Sequence, residues 1–190
     1  MDKYPVLRKK IGFYSNLSKG PFEEIDKLDF CIREAMETDL PALEWDGEYE
    51  RFRLIYRRAM KEAKKGRQVL LIADFSGIIV GQIFILLNTV NADPRPQPYT
   101  GYLYSFRVKS DYRNRGFGTS LIENAESVLL ERSFRRVLIG VAKENQDARR
   151  LYQRHGYEII ADDPGEWSFI DHNRQIQHVV EPTFIMEKNF

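Results

Sequence analysis

Arg113, Asn114, Arg115, Gly116, Phe117, Gly118 and Thr119 put two arginines and two glycines into one turn, a combination able to hold an anion. The first turn of a helix leaves backbone N–H groups without intrahelical acceptors, and they point outward as donors. Glycines lack a Cβ, so a phosphate can come close to the backbone they carry. Guanidinium groups at 113 and 115 match phosphate in charge and shape. A plain strand-to-helix turn with solvated arginines fits the same residues, and a short glycine motif does not separate the two readings.

Such a turn needs a strand before it and a helix after it. Tyr102 to Val108 reads as the strand, and Leu121, Ile122, Ala125, Val128 and Leu129 recur at helical spacing within Ser120 to Arg132. Upstream, Leu28 to Arg33 reads as a first strand, and Thr38 or Asp39 starts a helix that carries Pro41 in its first turn. Phe52, Ile55, Tyr56, Ala59, Met60 and Ala63 mark a second helix within Tyr49 to Lys65, stopped by Gly66. Val69 to Phe75 and Ile78 to Leu87 form a hairpin through Ser76-Gly77, and Thr89 to Tyr99, rich in proline, is a loop. Downstream come a strand at Arg136 to Ala142 and a short helix from Asn145 to His155-Gly156. Strands follow at Tyr157 to Ala161, Trp167 to Ile170, Ile176 to Val180 and Thr183 to Met186. Antiparallel pairing at the hairpin, and a parallel strand-helix-strand unit around the glycine turn, predict a mixed sheet with helices on both faces.

The chain's 190 residues suit one domain, expected at 28–190, with an extension at 1–27 that packs as an arm or trails as a tail. A net charge of +1 gives no general attraction to nucleic acid or to an anionic membrane. The single cysteine, Cys31, lies in an apolar run, and with three scattered histidines it offers no metal-ligand spacing. No apolar stretch is long enough to span a membrane, neither nucleic acid nor a membrane is expected as a partner, and the expected location is the cytoplasm.

Two separated blocks resemble the GNAT superfamily of acyl-CoA-dependent N-acetyltransferases. Arg113 to Gly118 is similar to the family's Arg/Gln-x-x-Gly-x-Gly/Ala turn, and Asn145 to Tyr157 to its Asn-x-x-Ala-x-x-x-Tyr-x-x-x-Gly-Phe/Tyr element. The resemblance implies an α/β (α+β) fold with a mixed, mostly antiparallel twisted sheet of about seven strands. It also implies acetyl-CoA as acyl donor. Backbone groups of Phe106, Arg107 and Val108 would hold the pantetheine arm, the amides from Arg113 to Gly118 with the Thr119 hydroxyl the pyrophosphate, and Asn145 and Ala148 a further part of the donor. Tyr152 would protonate the departing thiolate, and the acceptor would be a primary amine attacking directly in a ternary complex. Pairing of two copies through Trp167 to Met186 is a further implication of the resemblance.

The base departs from the pattern. Many family members that acetylate peptides carry a glutamate at the place of Gly140 or of Tyr102, and this chain has a carboxylate at neither. Glu44, Asp46 and Glu48 are the alternative, an acidic group able to draw a cationic amine, or solvated acids favouring the next helix's dipole. Tyr102 and Tyr104 line the acceptor channel or simply pack. A non-catalytic acyl-CoA sensor on the same fold stands beside the enzyme reading. A P-loop hydrolase is disfavoured because no Gly-Lys-Ser/Thr follows the turn.

Overall fold

The computed structural model describes residues 30–87 and 99–190. The extension at 1–27 and all but Tyr99 of the proline-rich loop lie outside them. The described residues form nine strands: β1 (Phe30–Glu34), β2 (Gln68–Phe75), β3 (Ile78–Leu86), β4 (Thr100–Val108), β5 (Arg136–Ala142), β6 (Glu158–Asp163), β7 (Glu166–Ile170), β8 (Ile176–Val180) and β9 (Thr183–Asn189). With them are three α-helices, α1 (Arg53–Lys64), α2 (Phe117–Glu131) and α3 (Gln146–Arg154). Seven strands form one sheet in the order β1-β2-β3-β4-β5-β9-β6, while β7 and β8 form a separate hairpin. Within the large sheet only β4 and β5 run parallel, joined through α2 as a crossover connection requires.

Apolar side chains fill both faces. Leu121, Ile122, Ala125 and Leu129 of α2 pack on Val80, Ile83, Leu103 and Ile139. On the other face, Tyr56, Ala59 and Met60 of α1 pack on Leu70, Ile72 and Phe84, and Phe169 of β7 joins them. Each fully buried Leu or Ile contributes roughly 1.5–3 kcal/mol, so the two cores pin the sheet from opposite sides.

The expected helix at Thr38 is instead a 3-10 stretch, Glu37–Glu44. Pro41 lies inside it and has no N–H for an α-helical bond to the carbonyl four residues earlier. Its start is held by Asp39, whose carboxylate accepts from the Met36 amide at 2.7 Å and from Arg33 Nη1 at 2.7 Å. Arg33 also donates from Nε to Asp74 at 3.0 Å, tying β1, the 3-10 stretch and β2 together.

Candidate active site

β4 is regular up to Tyr104 and then changes phase. Its pairing with β3 passes from Phe84↔Tyr104 to Gln82↔Arg107, so Ser105 and Phe106 together oppose Ile83. Ser105 has a φ of 52°, in the left-handed region, and the bulge flips the face that each later side chain takes. Before it, Tyr104 joins the α1 core. After it, Phe106 and Val108 join the α2 core, whereas Arg107 reaches Tyr56 of α1.

The two parallel strands also part company. β4 pairs with β5 only from Thr100↔Arg136 to Leu103↔Ile139, so the β5-side edge of Tyr104 to Val108 is left open within the large sheet. β5 itself remains attached to β9 as far as Ala142↔Thr183. Together this gives a wedge with backbone donors and acceptors along one wall.

At the wide end of the wedge lies the glycine turn. Gly116, at φ 86°, is the left-handed residue before α2, and α2 begins at Phe117, three residues earlier than the apolar pattern indicates. The Ser110 carbonyl accepts from the Arg113 amide, and the Gly116 carbonyl from the Ser120 amide. Among the described residues, the amides from Asn114 to Thr119 have no acceptor in the protein. The free run therefore begins one residue later than expected. Arg113 turns its Nε to the Val108 carbonyl at 3.1 Å, closing the end of β4, and Arg115 lies over the Tyr112 ring. A Cβ on Gly118 would meet only ordinary contacts, the nearest being Leu151 Cδ2 at 3.4 Å. Glycine at 118 therefore leaves room on the outside of the turn and is not demanded by the core. A run of unpaired amides beside an open strand edge fits a ligand that has a diphosphate and an amide-bearing arm.

Tyr152 reaches the wedge from α3. It is 4% exposed, its ring stacks on Phe106 at 6.0 Å between centroids, and Tyr157 lies 6.1 Å away on its other side. Among the described residues its hydroxyl makes no hydrogen bond. Burial, and next the neighbouring Tyr102 phenol, push its proton affinity well above that of an ordinary tyrosine. At neutral pH the group is a protonated phenol with a donor to spare. α3 is set by its caps: Asn145 Oδ1 accepts from the Ala148 amide at 3.1 Å, and Gly156 at φ 85° ends the helix. That bond gives Asn145 a structural task in addition to the donor contact expected of it. Ala148 packs half-buried against the α2 core.

On the α1 face the predicted acceptor residues separate. Glu44 is gripped by Arg53 at 2.6 and 2.7 Å, which holds its carboxyl below the usual range against the opposing effect of burial. A carboxylate so paired is a weak base. Asp46 and Glu48 are exposed. The Tyr104 hydroxyl donates to Gln68 Oε1, and burial raises its proton affinity. Tyr102 is also raised by burial, then by the Asp163 charge, and its hydroxyl lies 2.9 Å from the place of a Cβ on Gly140. His172 comes 3.9 Å from Glu50, and His178 meets Ser168 on the β7–β8 hairpin.

Sequence reasoning missed an aromatic wall on this face. Trp45, Tyr49, Phe52, Phe169 and Trp167 form a continuous series of ring contacts from the loop before α1 to β7. Only Phe52 belongs to a periodic run; the others come from loops and a hairpin that no spacing connects. The bulge was also hidden, because Ser105 carries no sign in the sequence of a left-handed backbone.

The acetyltransferase (GNAT) family matches residues 32–157. An uncharacterised N-acetyltransferase of Chlorobaculum tepidum is 26% identical over 133 residues, which is 70% of this chain and 77% of that protein. A GNAT-family acetyltransferase from Streptococcus pneumoniae shares the fold with a TM-score of 0.60 at 23% identity, over 85% of this chain and all of that one. The PaiA N-acetyltransferase of Thermoplasma acidophilum, solved in complex with coenzyme A, gives a TM-score of 0.64 at 16% identity, over 85% and 99% of the two chains. Among the described residues no helix is long and apolar enough to cross a membrane, and no group of three or more potential ligands stands ready for a metal ion. The matched span runs from β1 through the bulge, the amide turn and α3, and on that ground the chain belongs to the acetyltransferase (GNAT) family, enzymes that take their acetyl group from acetyl-CoA.

Proposed function

We propose that this acetyltransferase acetylates a primary amine by direct attack within a ternary complex, with Tyr152 as the acid. Acetyl-CoA, when bound, supplies an activated thioester. The amides from Asn114 to Thr119 hold its diphosphate, and the open edge of Phe106, Arg107 and Val108 orients its arm toward α3. Backbone N–H groups at the bulge stand where charge develops on the acyl oxygen, a role in which fixed dipoles outperform water. Tyr152 keeps its proton until a thiolate needs it. The acceptor enters from the α1 face, past Tyr102 and Tyr104.

The observation that carries this reading is the Tyr152 ring, buried and stacked on Phe106 at the open strand edge, with a hydroxyl that has no partner among the described residues. Tyr152→Phe keeps the ring contacts and removes the proton. It should lower kcat by about 10²-fold or more while acetyl-CoA affinity changes little. A mutant with wild-type turnover would reduce Tyr152 to a packing residue.

A further inference from the structure

Arg107 has an unusual setting for a half-buried cation. Its guanidinium lies 4.1 Å from the centroid of the Tyr49 ring and 4.9 Å from that of Phe52, and Nη1 donates to the Tyr56 hydroxyl at 2.7 Å. A guanidinium has five N–H donors, and no carboxylate among the described residues pairs with this one. Of the nearby acids, Glu44 is engaged with Arg53 and Glu48 is exposed. Two further donors belong to the same aromatic cluster, in which Trp45 meets Tyr49. Lys109 Nζ lies 5.9 Å from the centre of the Trp45 ring, and no acid among the described residues pairs with it. Trp45 is 7% exposed, has a left-handed φ of 46°, and its indole N–H finds no acceptor among the described residues. The site thus collects donors and lacks an acceptor.

The placement matters as much as the chemistry. Arg107 follows Phe106 directly, so the bulge aims one side chain at Tyr152 and the next at the acceptor side of the same strand. We infer that Arg107, supported by Lys109 and the Trp45 indole, binds an oxyanion on the acceptor, so that the preferred substrate is a small amine bearing a carboxylate or a phosphate. The aromatic faces of Tyr49 and Phe52 hold the guanidinium flat, and its remaining donors engage the oxyanion in the bidentate manner natural to arginine. The inference rests on the acetyl-transfer reading of this site and adds to it the class of acceptor.

The test compares matched acceptors. L-amino acids are assayed against their carboxamides, and an aminoalkyl phosphate against the corresponding amino alcohol, with kcat/KM expressed per concentration of neutral amine and measured for wild type, Arg107→Gln and Arg107→Lys. Wild type should favour the anionic member of at least one pair by about tenfold or more, and the two pairs tell carboxylate from phosphate. Arg107→Gln should reduce that ratio toward one, chiefly through the acceptor KM. A ratio is insensitive to a general loss of active enzyme, and if the glutamine variant fails to fold, the lysine variant must still show a lowered ratio. Equal or better use of the neutral acceptors by wild type, or a ratio unchanged in the variants, overturns the inference and leaves acetyl transfer intact. Absence of any transfer, together with no thermal shift by acetyl-CoA, overturns both.

Discussion

A Cβ on Gly140 would lie 2.9 Å from the Tyr102 hydroxyl and 3.2 Å from Thr183 Cγ2. The two positions at which the resemblance leads one to look for a glutamate are therefore in contact here, and the phenol of one fills the space that the side chain of the other would need. A carboxylate at 140 requires Tyr102 to move. With Glu44 held by Arg53, none of these three positions supplies a strong base, and we propose that the reacting species is the amine already neutral in solution. An ordinary primary amine with a pKa of about 10 is neutral to roughly one part in a thousand at pH 7. We predict that log kcat/KM for the acceptor rises with a slope near one between about pH 7 and 9, with no plateau, Tyr152 remaining protonated throughout because burial holds its proton. A plateau beginning below pH 8 would reveal a base on the enzyme. The role proposed for Tyr152 rests on its motif in the sequence, since one tyrosine on an inward helical face is equally a core residue. The contact between Tyr102 and Gly140 was not readable at all, because the two lie on different strands and meet only when β4 and β5 pair.

The start of the fold rests on ionic contacts that link elements. Arg33 on β1 reaches Asp39 in the 3-10 stretch and Asp74 on β2, and these join the segment leading to Trp45 with the edge of the sheet. Burial raises the Asp39 carboxyl, but the bonds from Arg33 and from the Met36 amide outweigh it, and the folded value lies below the ordinary 3.8. A folded value lowered in this way gives stability that is fully present above the unfolded pKa and is lost as the pH falls through the folded one. Asp39→Asn should destabilise the protein by roughly 1.5–3 kcal/mol at pH 7, with the difference from wild type shrinking below about pH 4, as followed by thermal melts. A difference independent of pH would place the effect in packing. Most strands and α-helices were legible because their apolar periods are strong, as in α2, where Leu121, Ile122, Ala125 and Leu129 are all fully buried. Glu37–Glu44 was misread because the pattern reports which face is buried and not which hydrogen bond closes the turn. Pro41 decides that, by lacking an N–H.

Across the whole molecule, α2 and α3 occupy one face of the sheet and α1 with the β7–β8 hairpin the other, and the wedge between β4 and β5 joins the two sides. In the proposed mechanism the donor is held on the α2 side, through the amides from Asn114 to Thr119. The acceptor, in the same proposed mechanism, takes the α1 side, with its aromatic wall and Arg107. The chemistry is proposed to take place where the strands separate, between the bulge and Tyr152. The order of elements and the parallel pair were visible in the sequence through the glycine turn between a strand and a helix. The wedge was not, since it comes from the early end of pairing beyond Leu103 and Ile139. The most direct measurement is a crystal structure with coenzyme A bound. We predict diphosphate oxygens within about 3.2 Å of amides between Asn114 and Thr119, and the sulfur within about 4 Å of the Tyr152 hydroxyl. A diphosphate bound away from that turn, or a Tyr152 hydroxyl directed away from the sulfur, would contradict the account.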